Sequence, residues 1–123
     1  MFRTVSNFSL SLKTTDDVVV MTPRGYVDGL GAGQMEEASE AVLGKGAKKL
    51  IVNFSDTQFI NSVGVSVLTT VVHRTQQSSG MLCFTNMKRV HREVFDLMGL
   101  TKHVKVFNEE DDAILYLNRT KKN

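Results

Sequence analysis

The 123-residue sequence contains one proline, no tryptophan and a single cysteine, Cys83. A lone cysteine excludes an internal disulfide, and the apolar neighbours Leu82 and Phe84 are typical of a buried, unreactive thiol in a reducing compartment. No uninterrupted apolar stretch approaches the roughly 18 residues that a membrane span needs, and the N-terminus lacks the apolar core of a signal peptide. We therefore expect a cytoplasmic protein with no membrane contact.

The sequence also lacks an excess of either charge. Its 15 basic and 13 acidic residues give a net charge of +2 and are spread along the chain. Because no basic stripe could follow a phosphate backbone, nucleic acid is not an expected direct partner. Basic residues gather only after the last apolar residue, at Arg119, Lys121 and Lys122, so we expect residues 119–123 to form a disordered basic tail.

Hydrophobic periodicity predicts one α/β domain over residues 1–123. Alternation over 8–13 predicts an edge strand, and the β-branched residues from 18 to 27 predict a second strand with a bend at its end. The nearly continuous apolar run over 50–54 is typical of a central strand that is covered on both faces.

The second half of the chain alternates between helix and strand patterns. Helical spacing is found over 34–43, from Ser62 to a break at Ser78, over 90–98 before Gly99, and in a last helix that Asn108 is expected to cap. Short strands are predicted over 81–84 and 104–107. The order predicts a mixed sheet of about five strands with about four helices.

A glycine-rich segment, 29–33, lies between the second strand and the first helix, where a nucleotide-binding loop would lie. Gln34 stands where the dinucleotide fingerprint needs a third glycine, and no Gly-Lys-Ser/Thr ending follows. We interpret the segment as a flexible connection. A nucleotide-binding module or small enzyme that uses this loop remains an alternative, which nucleotide-induced thermal stabilisation would reveal.

Other chemistry-bearing residues are isolated in the sequence. Asp28 and Asp56 resemble the carboxylates that form turns or cap helices, and Ser62 lies outside any Gly-x-Ser-x-Gly motif. The three histidines have no second ligand at metal-binding spacing: His73, His91 and His103. The sequence therefore predicts no enzymatic activity, no metal and no cofactor.

Residues 52–65 are interpreted as a buried strand, a polar turn and the start of a helix, which places Ser62 at or beside the N-cap. One explanation is structural, because Asn61 or Ser62 can accept a hydrogen bond from a free amide, worth roughly 1 kcal/mol. The other is functional, because a phosphate on Ser62 would gain from the helix dipole and place roughly two negative charges on the surface. Spacing alone leaves both explanations open.

Four features follow one another along the chain: Gly25-Tyr26-Val27-Asp28 after the second strand, Asn61-Ser62-Val63-Gly64 in the serine turn, Gly99-Leu100 and the acidic last helix. Their order and spacing resemble the STAS domains of bacterial anti-sigma-factor antagonists, and the resemblance covers nearly the whole chain. It implies the STAS fold. The family often has Asp where Asn53 and Asn61 stand, and Ser or Thr where Val63 stands.

The resemblance implies that Ser62 is phosphorylated by an ATPase-type serine kinase that is also the anti-sigma factor and binds only the unphosphorylated chain. It assigns contact with that kinase to Asp28, Asn61, Val63 and Gly64, and it adds a phosphatase as a further partner. The alternative is a STAS interaction scaffold, never phosphorylated, in a stressosome-like or other bacterial signalling assembly. The oligomeric state stays open.

Overall fold

The structure is a computed structural model that describes residues 7–119. The strands are β1 (Phe8–Thr15), β2 (Val18–Val27), β3 (Lys49–Asn53), β4 (Thr57–Ile60), β5 (Met81–Thr85) and β6 (Lys105–Phe107). The helices are α1 (Gly29–Gly44), α2 (Ser62–Gln77), α3 (Arg89–Leu97) and α4 (Glu110–Arg119), with a single 3-10 turn at Leu100–Lys102. This mixed α/β architecture, with four α-helices, confirms the predicted fold class.

The six strands form one mixed sheet in the order β1-β2-β3-β5-β6. β1 pairs antiparallel with β2, and the other pairings are parallel. β2 is long enough to have two neighbours on its second side, because Val18–Met21 pairs with β3 and Gly25–Val27 pairs with β4. The expectations of an edge position for β1 and a central position for β3 are therefore confirmed.

Two apolar layers hold the helices against the sheet. On one face α1, α2 and α3 pack against side chains from the central strands, and three phenylalanines meet edge to face with ring centroids 5.2–5.5 Å apart: Phe54, Phe84 and Phe95. On the other face Ala113 and Leu117 of α4 cover Val20, Ile51 and Cys83. Burial there raises the pKa of the Cys83 thiol to about 12, as expected of an unreactive cysteine.

Two segments that the sequence analysis interpreted as irregular are regular. The polar turn before Ser62 contains a sixth strand, β4, whose middle residues Gln58 and Phe59 are exposed. This strand has only four residues and pairs only with β2. Such a short segment is too brief to show a clear alternation of apolar and polar residues. The supposed flexible connection over 29–33 is the first turn of α1, which begins at Gly29 rather than near Gln34.

The end of the chain also differs from the expectation. α4 begins at Glu110, so Asn108 lies two residues before it and does not occupy the cap position. Arg119, assigned to the basic tail, is the last residue of α4. The remaining tail residues, 120–123, and the start of the chain, 1–6, lie outside the described residues.

Candidate functional site

Two strand–cap–helix units lie side by side at the carboxyl ends of β2 and β4. The parallel register places Tyr26 opposite Phe59 and Val27 opposite Ile60. In each unit one extended residue follows the strand and the next begins a helix, α1 after β2 and α2 after β4. The two helices therefore present their first turns next to each other at the same edge of the sheet.

The cap residues of the two units are chemically equivalent. The Asp28 side chain accepts a hydrogen bond from the backbone N–H of Gly31 at 2.9 Å, and the Asn61 side chain accepts one from Gly64 at 2.8 Å. Each oxygen satisfies an amide that has no partner within its own helix. Asn61, rather than Ser62, is thus the cap of α2, and Ser62 is the first residue of the helix.

A glycine in each first turn allows the unit to pack closely. A Cβ at Gly64 would lie 2.2 Å from the carbonyl oxygen of Val27, and a Cβ at Gly31 would lie 2.5 Å from that of Tyr26. Any side chain at either position would collide with backbone, so both helices approach β2 only because glycine stands there. Gly31 and Gly64 are therefore needed for packing and not for flexibility.

Ser62 is exposed at the start of α2, and each of the two paired first turns also exposes one aliphatic side chain. Val63, on the same turn, is 56% exposed, and Leu30, at the equivalent position of α1, is 82% exposed. The Ser62 hydroxyl forms no hydrogen bond among residues 7–119. Ser62 is therefore accessible and unengaged within the described chain, as a modified or recognised serine must be.

The predicted site residues are brought together by the fold. Asp28, Asn61, Ser62, Val63 and Gly64 all belong to the paired first turns. The first turns of α1 and α2 are in close contact, since a Cβ added at Gly29 would lie 3.0 Å from the Val63 side chain.

Sequence reasoning did not include Leu30 or the aromatic pair of Tyr26 and Phe59, whose rings meet edge to face at 5.5 Å. A repeat in the sequence could have identified these residues, because residues 26–31 and 59–64 follow the same pattern 33 positions apart. The pattern is an aromatic residue, an aliphatic residue, Asp or Asn, a small residue, an aliphatic residue and Gly.

The beginning of α3 closes the open side of β4. Lys88 Nζ donates to the carbonyl oxygens of Thr57 at 2.9 Å and Ser55 at 3.3 Å. The buried His91 lies close to the backbone of Gln58, and its Nδ1 atom has no hydrogen-bond partner among the described residues. Burial lowers the pKa of His91, and the interaction with the Gln58 backbone only partly opposes this shift. These contacts fix the strand that leads directly to Asn61 and Ser62.

Asn53, at the end of β3, belongs to a polar cluster in which an amide is favoured over a carboxylate. Its amide nitrogen donates to Glu110 at 2.8 Å, while its oxygen accepts from the backbone of Ser55 at 2.8 Å. Lys13 contacts the second Glu110 oxygen at 3.0 Å. Burial acts to raise the pKa of Glu110, but the bonds from Asn53 and Lys13 outweigh it and lower that pKa. An aspartate at 53 would face the Glu110 carboxylate, so the neutral amide suits this chain.

Within residues 7–119, no group of three or more His, Cys, Asp or Glu side chains is arranged to hold a metal ion. No helix in that range has the length and apolar character required to cross a bilayer.

Comparison with known proteins places the geometry in context. The family model described as STAS domain matches residues 9–113. The chain is 27% identical over 110 residues to the anti-sigma-F factor antagonist RsfB of Mycobacterium tuberculosis, covering 88% of each protein.

Two solved structures are similar in fold. The structure of an anti-sigma factor antagonist from Mycobacterium paratuberculosis has a TM-score of 0.80 at 23% identity, over 90% of this chain and 94% of that one. The unphosphorylated form of SpoIIAA from Bacillus has a TM-score of 0.75 at 23% identity, over 94% and 99% of the two chains. SpoIIAA has also been solved in a phosphorylated form, with a TM-score of 0.67.

Proposed function

The chain belongs to the STAS domain family, and from that membership we propose that it is an anti-sigma-factor antagonist that acts by partner switching at Ser62. The observation that carries the proposal is the exposed, unengaged Ser62 hydroxyl at the start of α2, in a pair of first turns that also exposes Leu30 and Val63. The name of the relative RsfB and the existence of a phosphorylated SpoIIAA structure support it.

In the unphosphorylated state the surface around Ser62 suits a protein partner. The first turns of α1 and α2, residues 29–32 and 62–65, contain no charged side chain. Leu30 and Val63 can therefore enter an apolar recess of the partner without burying an unpaired charge. We propose that this partner is an ATPase-type serine kinase that is also an anti-sigma factor.

Phosphorylation would reverse that match. A phosphate on Ser62 adds roughly two negative charges and three acceptor oxygens next to the apolar Val63, so the partner's apolar recess would have to bury an unpaired charge. Within the chain the phosphate lies at the positive end of the α2 dipole, and Asn61 adds no carboxylate to repel it. The modification would thus release the partner and leave the fold intact.

The other predicted site residues take two roles in this proposal. Asp28 and Asn61 fix the first turns by capping them, and Gly64 allows the first turn of α2 to pack against β2, so all three shape the surface. Val63 contacts the partner directly. A phosphatase would restore the binding form. The chain is then a ligand and substrate of other proteins in the bacterial cytoplasm, catalyses nothing and does not contact DNA.

The test uses purified ATPase-type serine kinases encoded in the source genome, with wild type, Ser62→Ala, Ser62→Asp and Ser66→Asp chains. Ser66 is also exposed and lies one turn along the same helix, so it is a matched control for charge. We expect one kinase to bind wild type, Ser62→Ala and Ser66→Asp, to bind Ser62→Asp at least tenfold more weakly, and to phosphorylate only chains that retain Ser62.

Binding of one kinase to all four chains with equal affinity, and without phosphate transfer to Ser62, would contradict the switch. That result would favour the scaffold alternative, in which the same surface holds a partner permanently. Binding of no kinase at all would remove the kinase from the proposal.

A further inference from the structure

The outer side of β1 is a long uncovered edge of the sheet. β1 has eight residues, and among residues 7–119 it pairs only with β2. The strand at the other end of the sheet, β6, has only three residues, and Lys88 closes the open side of β4. A strand edge presents a row of N–H and C=O groups to which a further strand can pair.

The ladder between β1 and β2 shows which of these groups point outward. The backbone N–H of Tyr26 donates to the carbonyl oxygen of Asn7, the residue just before β1, at 2.9 Å. Because hydrogen-bonded pairs alternate along an antiparallel ladder, the odd-numbered residues of β1 bond to β2 and the even-numbered ones turn their backbone groups away from it. The outward groups of Leu10, Leu12 and Thr14 have no partner among the described residues.

β1 has few of the features that prevent an edge strand from pairing. Proline, bulges, short length and exposed charges are the usual protections. β1 contains no proline, and its register with β2 runs without a bulge through all eight residues. Its one charged residue, Lys13, bonds to Glu110 of α4 at 3.0 Å. Leu12 lies on the same side as Leu10, which packs on the core, yet it is 48% exposed.

The sequence of β1 is suited to antiparallel pairing with itself. When Ser11 faces Ser11 of a second copy, Leu10 faces Leu12 and Lys13 faces Ser9. The hydrogen-bonded positions of this register are the even-numbered residues of both strands, which are those with outward groups. A shift by two residues that makes Leu12 face Leu12 would place the two Lys13 residues diagonally, about 7–8 Å apart, where like charges repel. The opposite shift shortens the paired segment.

We propose that this edge is an interface between two copies of the chain, in which the β1 strands pair antiparallel about Ser11 and join the two sheets. Because the strands run in opposite directions, the two Ser62 surfaces lie at opposite edges of the joined sheet and both stay accessible. The interface therefore does not depend on the partner switch. One strand from each copy buries a small area, so we expect a weak, concentration-dependent dimer.

The first test is sedimentation equilibrium of the full chain from micromolar to millimolar concentration. Wild type should dimerise, and Leu12→Pro, which removes an outward N–H that β2 does not use, should weaken the dimer at least tenfold. Leu12→Thr keeps that N–H and should weaken it less. Ser11→Lys leaves the backbone unchanged but makes two ammonium groups face each other, so it should also weaken the dimer at least tenfold.

Ser66→Lys is the matched control for charge, because Ser66 is an exposed serine on α2, and it should dimerise as wild type does. The proposal is overturned if wild type stays monomeric at millimolar concentration. It is also overturned if Ser11→Lys dimerises as well as Ser66→Lys.

The register is tested by oxidation of two cysteine variants. Ser11→Cys places two thiols at a non-hydrogen-bonded pair, where Cα atoms are about 4.5 Å apart and a disulfide can form. In Ser9→Cys each new thiol faces Lys13 of the second copy, so the two thiols are too far apart to bond. The native Cys83 is buried and does not compete. We expect a covalent dimer of Ser11→Cys alone, and equal yields from the two variants would contradict pairing about Ser11.

Discussion

Single glycine residues decide how closely the serine turn can approach the sheet. The carbonyl of Val27 occupies the space where a side chain at Gly64 would begin, whereas no atom lies within 4 Å of a Cβ placed at Gly33. The two glycines both stand near the start of a helix, yet only the first is required by its surroundings. The presence of glycine in a first turn is therefore informative only together with what lies opposite it.

Substitution of these two glycines should change stability in opposite directions. Gly64→Ala must push α2 away from β2 and should lower the free energy of unfolding by about 1–3 kcal/mol, as overpacking does. Gly33→Ala adds a methyl group to a helix with free space and should raise it by about 0.4–1 kcal/mol. Urea unfolding of the two variants and wild type measures both effects. A Gly64→Ala chain as stable as wild type would show that the turn can move without cost.

Among the elements, those with a strong periodic pattern could be predicted from sequence, and those defined by neighbours could not. The apolar run of β3 and the helical spacing of α2 are properties of the residues themselves. β4 is a strand because β2 pairs with it and Lys88 closes its other side, which no local pattern reveals. The first turn of α1 is helical because Asp28 caps it, against the usual tendency of glycine.

The candidate site follows the same division. Its serine, caps and glycines are consecutive in sequence and could be identified from the turn motifs. Leu30 and the Tyr26–Phe59 pair join it only because two strands 33 residues apart lie in parallel register. Pairing partners of short parallel strands depend on the whole fold, so these residues became visible only in the structure.

The docking of α3 on β4 should make stability depend on pH through His91. Its folded-state pKa is lowered by burial, whereas in the unfolded chain it is about 6.5. As the pH falls through 6.5, His91 becomes protonated in the unfolded state but stays neutral in the folded state, so the free energy of unfolding decreases. Between pH 7.5 and 5 the free energy of unfolding should therefore fall through this residue, before most carboxylates titrate.

His91→Gln retains an N–H donor for the backbone of Gln58 but cannot titrate, so its stability should change less over that range. His73→Gln, at an exposed position of α2, should keep the wild-type profile. Urea unfolding at several pH values compares the three chains. The interpretation of His91 is wrong if the slope of stability with pH is the same in wild type and His91→Gln.

At the scale of the whole molecule, the surface around Ser62 lies at one edge of a mixed sheet, on the carboxyl ends of β2 and β4. The fully buried β3 and the phenylalanine cluster belong to the core of the same domain. Because close-packed interiors resist small deformations, a charge added at the Ser62 surface is expected to act on the surface and not on the fold.

In this proposal the switch changes the charge of the surface and leaves the fold unchanged. The variant Ser62→Asp tests whether a negative charge at this position leaves the stability of the fold intact. An acid at the first position of α2 interacts favourably with the helix dipole, so the free energy of unfolding should stay equal or rise by about 0.3–1 kcal/mol at low ionic strength. The gain should shrink in high salt. Ser66→Asp, one turn further from the helix end, should gain less. If thermal unfolding instead shows Ser62→Asp to be markedly less stable than Ser66→Asp, then loss of partner binding would reflect damage to the first turn of α2, and phosphorylation would act by disordering this end of the molecule.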